Sequence, residues 1–97
     1  PFDPVGEYVG QTSAQGQTVT MAIGITGSPG GYSGVMRPGA DFPDIILHTV
    51  VVEGQTITAR GDVMGEALVL TMTVSGSEFT GSWSAAGMSG TLVGTRR

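Results

Sequence analysis

Apolar and polar residues alternate with a period of two along most of the chain, and no window carries the 3.6-residue apolar period of a helix. Thr and Val, which suit a pleated surface, dominate the alternating stretches. Between these stretches recur Gln15-Gly16, Gly27-Ser28-Pro29-Gly30, Pro38-Gly39, Glu53-Gly54, Gly65-Glu66, Gly76-Ser77 and Ala86-Gly87, all residue types that turn the backbone readily. Seven turns separate eight predicted strands, near residues 5–14, 17–26, 31–37, 45–53, 55–62, 67–75, 78–85 and 88–96.

Side-chain size sets the hairpin registers. With Ala86-Gly87 as a two-residue turn, Trp83 faces Gly90, Gly81 faces Leu92 and Phe79 faces Gly94. The Gln15-Gly16 turn likewise sets Met21 opposite Gly10, Ile23 opposite Tyr8 and Ile25 opposite Gly6. Pairing about Gly76-Ser77 sets Val74 opposite Phe79, Met72 opposite Gly81 and Leu70 opposite Trp83. Pairing Ile25 with Tyr32 sets Ile23 opposite Gly34 and Met21 opposite Met36. One face therefore interleaves large apolar residues with glycines, and the other carries Thr and Ser. Inward glycines permit tight coiling, and an even number of up-and-down strands returns the last beside the first. The fold class is all-β: a small closed up-and-down antiparallel barrel of eight short strands, whose interior holds side chains or one small ligand.

Composition agrees with that architecture. Glycine supplies 17 of 97 residues, against a usual share of about 7%. The length suits one domain, 1–97, with residues 1–5 as a linker or a cap over one barrel end. The chain has no Lys, and a net charge of -4 with no basic stripe excludes a nucleic-acid binder. No apolar run reaches the ~20 residues of a membrane helix. Without Cys there is neither a disulfide framework nor a thiolate metal site. The chain starts at Pro1 without Met or a signal peptide, which reads as one domain of a longer protein, with an exported, periplasmic or secreted location favoured. Gly16-Gln17-Thr18-Val19-Thr20 and Gly54-Gln55-Thr56-Ile57-Thr58 form a weak internal echo of one turn-strand motif.

Gly6-Glu7-Tyr8 on the first strand and Arg96 or Arg97 on the last resemble the calycin pattern of lipocalins, fatty-acid-binding proteins and avidins. In that pattern a Gly-x-Trp motif opens the barrel and a terminal Arg packs across the Trp. Tyr8 stands here in place of the Trp, and Gly81-Ser82-Trp83 matches the short motif on strand seven instead of strand one. Gly30-Gly31-Tyr32-Ser33-Gly34 and the closing run from Phe79 to Arg97 are similar to a small bacterial domain found at the C-terminus of exported hydrolases. That resemblance implies an accessory β-barrel and carries over no catalytic residue. The calycin resemblance implies that Arg96 closes the barrel against Tyr8, and that Phe2 caps an end.

Candidate chemistry is sparse. His48 is the sole histidine, too few for a zinc site, and no Gly-x-Ser-x-Gly elbow accompanies it. It reads as a wall or interface residue. Asp41 and Asp44, flanking Phe42-Pro43, and Asp62 and Glu66 read as solvated loop charges, short of the ligand set calcium needs. No catalytic residue, metal or cofactor is expected. Met21, Tyr32, Met36, Met72 and Trp83 share the inward face and are the candidate ligand-binding residues, because methionine adapts to varied shapes and aromatics with polar tips orient a guest. Strand four is apolar on both faces, Ile45, Leu47 and Val51 on one and Ile46, Val50 and Val52 on the other. The outer set needs a cover, from a second copy, a parent protein or the N-terminal segment Pro1-Phe2-Asp3-Pro4-Val5, and self-association is favoured, with Ile45, Leu47 and Val51 as the candidate interface.

The leading expectation is a non-enzymatic barrel module that binds a small apolar molecule or serves as an accessory domain. The alternatives are an assembly module with a filled core that dimerises through strand four, and a cyclase-like cavity enzyme that shapes an apolar substrate. The volume of the barrel interior separates them.

Overall fold

Each two-residue turn has the backbone sign that lets flanking strands keep their right-handed twist. The computed structural model describes residues 2–39 and 43–97. Its strands are β1 (Gly6–Ala14), β2 (Gln17–Thr26), β3 (Ser33–Arg37), β4 (Ile45–Glu53), β5 (Thr56–Val63), β6 (Glu66–Ser75), β7 (Glu78–Ala85) and β8 (Met88–Arg96). Positive φ at Gln15 and Gly16, at Met64 and Gly65, and at Ala86 and Gly87 makes those hairpins type I′. Gly54 and Gly76 alone take positive φ in the β4–β5 and β6–β7 connections, the pattern of type II′. The strands follow one another round a closed antiparallel barrel, with β8 hydrogen-bonded to β1.

The registers about Gln15-Gly16, Gly76-Ser77 and Ala86-Gly87 are those that size matching predicts, including Trp83 opposite Gly90 and Met72 opposite Gly81. The β2–β3 register differs by two residues. Ile25 pairs with Gly34 and Ile23 with Met36. The cause lies in the connection. Gly31 N–H donates to Ser28 O at 2.8 Å, around Pro29 and a Gly30 at φ +89°, which is a type II turn. Gly27 (φ +110°) lies so close to the Gly31 carbonyl that a side chain there would collide with it. This compact loop takes residues 27–32 out of the ladder, so Tyr32 pairs with nothing and β3 is short.

The two apolar faces of β4 have a simpler explanation than a covered outer surface. Leu47 pairs with Gly61 and Thr49 with its neighbour Arg60, so His48 is an additional residue in a β-bulge. The bulge inverts the inside–outside parity halfway along the strand. Before it, Ile45 (9% exposed) and Leu47 (0%) point into the core. After it, Val50 and Val52 pack against the core instead. Ile45 and Leu47 are therefore core residues rather than part of an outer interface, while Val51 and Ile46 remain on the surface at 48% and 62% exposure.

Inside, Ile23, Leu47, Ile57, Leu70 and Met72 are fully buried, and Tyr8 meets Phe79 edge to face at 5.6 Å. Burying each such aliphatic side chain contributes about 1.5–3 kcal/mol. Gly10 and Gly94 stand directly opposite each other where β1 meets β8. A Cβ on Gly94 would meet the Val9 carbonyl and lie about 2.5 Å from Gly10 Cα, so the closing seam coils this tightly only because both are glycine.

Candidate functional site

The two ends of the barrel are built differently. At one end the N-terminal segment folds over the opening and the last strand holds it there. Arg96 lies between two rings, its guanidinium carbon 5.1 Å from the Phe2 centroid and 5.5 Å from that of Tyr8. Its Nη2 donates to the carbonyl oxygens of Asp3 and Val5. Tyr8 Oη donates to Pro4 O at 2.6 Å, and Val5 N–H donates to Asp3 Oδ1 at 3.0 Å. Burial pushes the Tyr8 hydroxyl pKa up, with the nearby Arg96 charge opposing and Asp3 reinforcing the shift. This end is closed.

At the other end the turns β1–β2, β5–β6 and β7–β8 and the segment after β3 surround an open cup of about 380 Å³. Met36, Ile45, Val63, Ala85 and Trp83 line it, with Met64 and Met88 at the rim and Gln15, Gln17 and Glu66 among its polar groups. Trp83 is fixed by a hydrogen bond from Nε1 to Thr12 Oγ1 at 2.6 Å. The indole reaches Thr12 by crossing Gly90, where an added Cβ would lie 2.6 Å from Nε1. Met64 is 96% exposed and holds φ +51° in its turn. A bulky residue in that left-handed region, with its side chain in water, carries conformational cost and no burial gain in the unliganded protein.

The candidate ligand residues fall in three places. Met36 and Trp83 line the cup. Met21 (2% exposed) and Met72 (0%) belong to the packed interior beneath it. Tyr32 lies at the capped end, in a surface hollow with Phe2. Ile45, Val63, Met64, Ala85 and Met88 also line the cup and were not ligand candidates from sequence, where Ile45 was assigned to the interface. Ala85 and Met88 carry a sequence signal, facing each other across the Ala86-Gly87 turn with the inward parity of Trp83. Ile45, Val63 and Met64 come from the start of β4, the end of β5 and the β5–β6 turn, which meet only in the folded barrel.

His48 Nε2 lies 3.6 Å from Asp62 Oδ2, and its Nδ1 lies 3.0 Å from Thr49 Oγ1. The carboxylate, imidazole and hydroxyl form a line on the outer wall, with the His48 and Asp62 side chains 54% and 68% exposed. Water screens so open a chain, and it lies outside the cup. Asp44 pairs with Arg37 at 3.8 Å. Asp41 and Phe42 lie outside the described residues. Among the described residues, no group of three His, Asp or Glu side chains is placed to hold a metal ion.

Fold and geometry together define a closed eight-stranded antiparallel β-barrel, capped at one end and cupped at the other. No family model matches the chain, and neither the curated proteins nor the solved structures compared with it gave a match.

Proposed function

We propose that the protein binds a small apolar molecule in the cup at the open end and performs no chemistry on it. The observation that carries this reading is the cup itself. Its volume lies within the range of small-molecule sites, and its wall is mostly apolar with a few polar groups at the edge. Three methionines, Met36, Met64 and Met88, give that wall a soft surface that fits varied shapes. The strained, exposed Met64 is the residue a ligand would cover.

The packed interior limits depth. Trp83, Met36 and Ile45 form the inner wall, and the Trp83 N–H is already engaged by Thr12. The guest is thus a short or flat apolar group, with any polar end directed to Gln15 or Gln17 at the rim. Glu66 disfavours an anionic end. The likeness to the calycin plan supports the reading, with Arg96 over Tyr8 where that plan has Arg over Trp. The same role suits an accessory module of a larger exported hydrolase.

Trp83 is the only tryptophan, so its emission reports on this site alone. Titration with the neutral apolar dye N-phenyl-1-naphthylamine is expected to quench Trp83 and enhance the dye, saturably. Met88→Glu is expected to abolish the effect, while Val93→Glu on the outer wall leaves it intact. A dye signal that never saturates, or one that survives Met88→Glu, overturns the proposal.

A further inference from the structure

The barrel is closed, yet among the described residues half of one strand edge has no ladder partner. The β3–β4 ladder consists of three pairs, Gly34–Leu47, Val35–Ile46 and Met36–Ile45. Beyond Leu47, β4 continues to Glu53 with β5 on one side only. Opposite its other side stands the 27–32 loop, and among the described residues no backbone hydrogen bond joins that loop to β4. Between them runs an open groove of about 750 Å³. Val50 and Val52 line it on the β4 side, Gly30 and Gly31 leave space on the far side, and Phe2 and Tyr32, packed against the core, bound it as well.

An unpaired strand edge is a template for another strand, and proteins ordinarily blunt such edges with Lys, Pro or an inward charge. Here Thr49-Val50-Val51-Val52 is β-branched throughout and uncharged. The segment is both the template and a strand suited to it, so the occupant the edge fits best is the same edge of a second copy.

We infer that the protein dimerises by antiparallel pairing of the β4 edges about a two-fold axis at Val51. This register respects both faces of the strand. Val50 of each copy meets Val52 of the other on the inner side, covering the half-buried pair. The two Val51 side chains, 48% exposed in the single chain, meet on the outer side. Glu53 of one copy then stands beside Thr49 of the other, and Arg60 flanks Thr49 in the β5 ladder. Neither Glu53 nor Arg60 has an ion-pair partner among the described residues, so the dimer brings two unpaired opposite charges together on each side of the axis. The contact is isologous and closes, giving a dimer rather than a fibre.

The chain has no Cys, so a single introduced cysteine tests the geometry directly. Val51→Cys is expected to form a disulfide-linked dimer under mild oxidation, because the register puts each Val51 opposite itself at disulfide-compatible spacing. Val93→Cys, at a similarly open site on β8, is expected to form no disulfide-linked dimer. Sedimentation of the unmodified protein is expected to show a concentration-dependent dimer. Glu53→Arg should weaken it by about tenfold, and Glu53→Arg with Arg60→Glu should restore it. A monomer at all concentrations overturns the inference. So does cross-linking of Val51→Cys no faster than Val93→Cys, or a dimer indifferent to both charge variants. Dye binding at the cup is read independently, since the cup and this groove share no lining residue.

Discussion

Trp83 on β7 donates its indole N–H to the hydroxyl of Thr12 on β1, reaching over Gly90 of the intervening strand β8. The bond ties three strands together at the open end and sets the plane of the largest side chain in the cup. Thr12→Val keeps the shape and removes the acceptor. It is expected to destabilise the protein by about 1–3 kcal/mol, since the indole N–H loses its partner in a half-buried position. Thermal melting checks the stability, and lower Trp83 fluorescence anisotropy checks the released ring.

Gly90→Ala tests the same relationship from below. The new methyl would lie 2.6 Å from Trp83 Nε1, 2.8 Å from its Cε2 and 2.6 Å from the Ser13 carbonyl oxygen. The ring must tilt toward the cup and the β8 backbone must ease away from Ser13 on β1, at a cost of about 1–3 kcal/mol. Weaker dye binding together with a shifted Trp83 emission maximum is the expected result. Gly87→Ala, where nothing lies near the added methyl, separates crowding from backbone strain, because Gly87 holds φ +77°. It should lower the melting temperature without moving the emission.

Arg96→Met removes the guanidinium that stacks on Phe2 and Tyr8 and holds the carbonyls of Asp3 and Val5. It keeps much of the side chain's length. A loss of about 2 kcal/mol is expected. Limited proteolysis should then cleave within residues 2–5 well before the barrel unfolds, because the N-terminal segment loses its clamp while the strands keep theirs.

Alkaline stability should turn on Tyr8. Its pKa is raised in the folded protein above the usual value of 10.0, chiefly by burial. A raised pKa means that the folded state holds its proton more tightly than the unfolded state does. The contribution is therefore complete below pH 10 and is lost as pH rises through the folded pKa. Melting temperature is expected to fall above pH 10 in the parent protein. In Tyr8→Phe the alkaline fall should be shallower, from a neutral-pH stability lower by about 1 kcal/mol for the lost bond to Pro4 O.

Much of the barrel is legible in the chain because its signals are local. Two-residue turns such as Ala86-Gly87 fix both a reversal and a register, and matching Trp83 to Gly90 or Phe79 to Gly94 needs only the residues on either side. Where a connection is longer the reading fails by a whole register step. The 27–32 loop places Ile25 opposite Gly34 through a hydrogen bond between Gly31 and Ser28 that alternation does not encode. The bulge at His48 defeats alternation differently: one residue without a partner reverses the facing of everything after it. Gly61, opposite Leu47, is hidden from alternation for the same reason, although an added Cβ there would press on the Ile46 carbonyl at 2.5 Å.

The candidate site was legible only in part. Met36 and Trp83 were identifiable because inward parity is a property of one strand at a time. Met21 and Met72 share that parity but lie deeper, and Tyr32 lies at the opposite end. Depth along a barrel axis depends on how strands are staggered, which no single strand records. The sequence by itself determined the strand count, the registers of the β1–β2, β6–β7 and β7–β8 hairpins and the glycines that let the wall coil, since turn chemistry and cross-strand size act between near neighbours. Only the tertiary structure decided which end Arg96 and Phe2 close, which end stays open, and where β4 lacks a partner. Those outcomes depend on distant segments meeting across the closed wall.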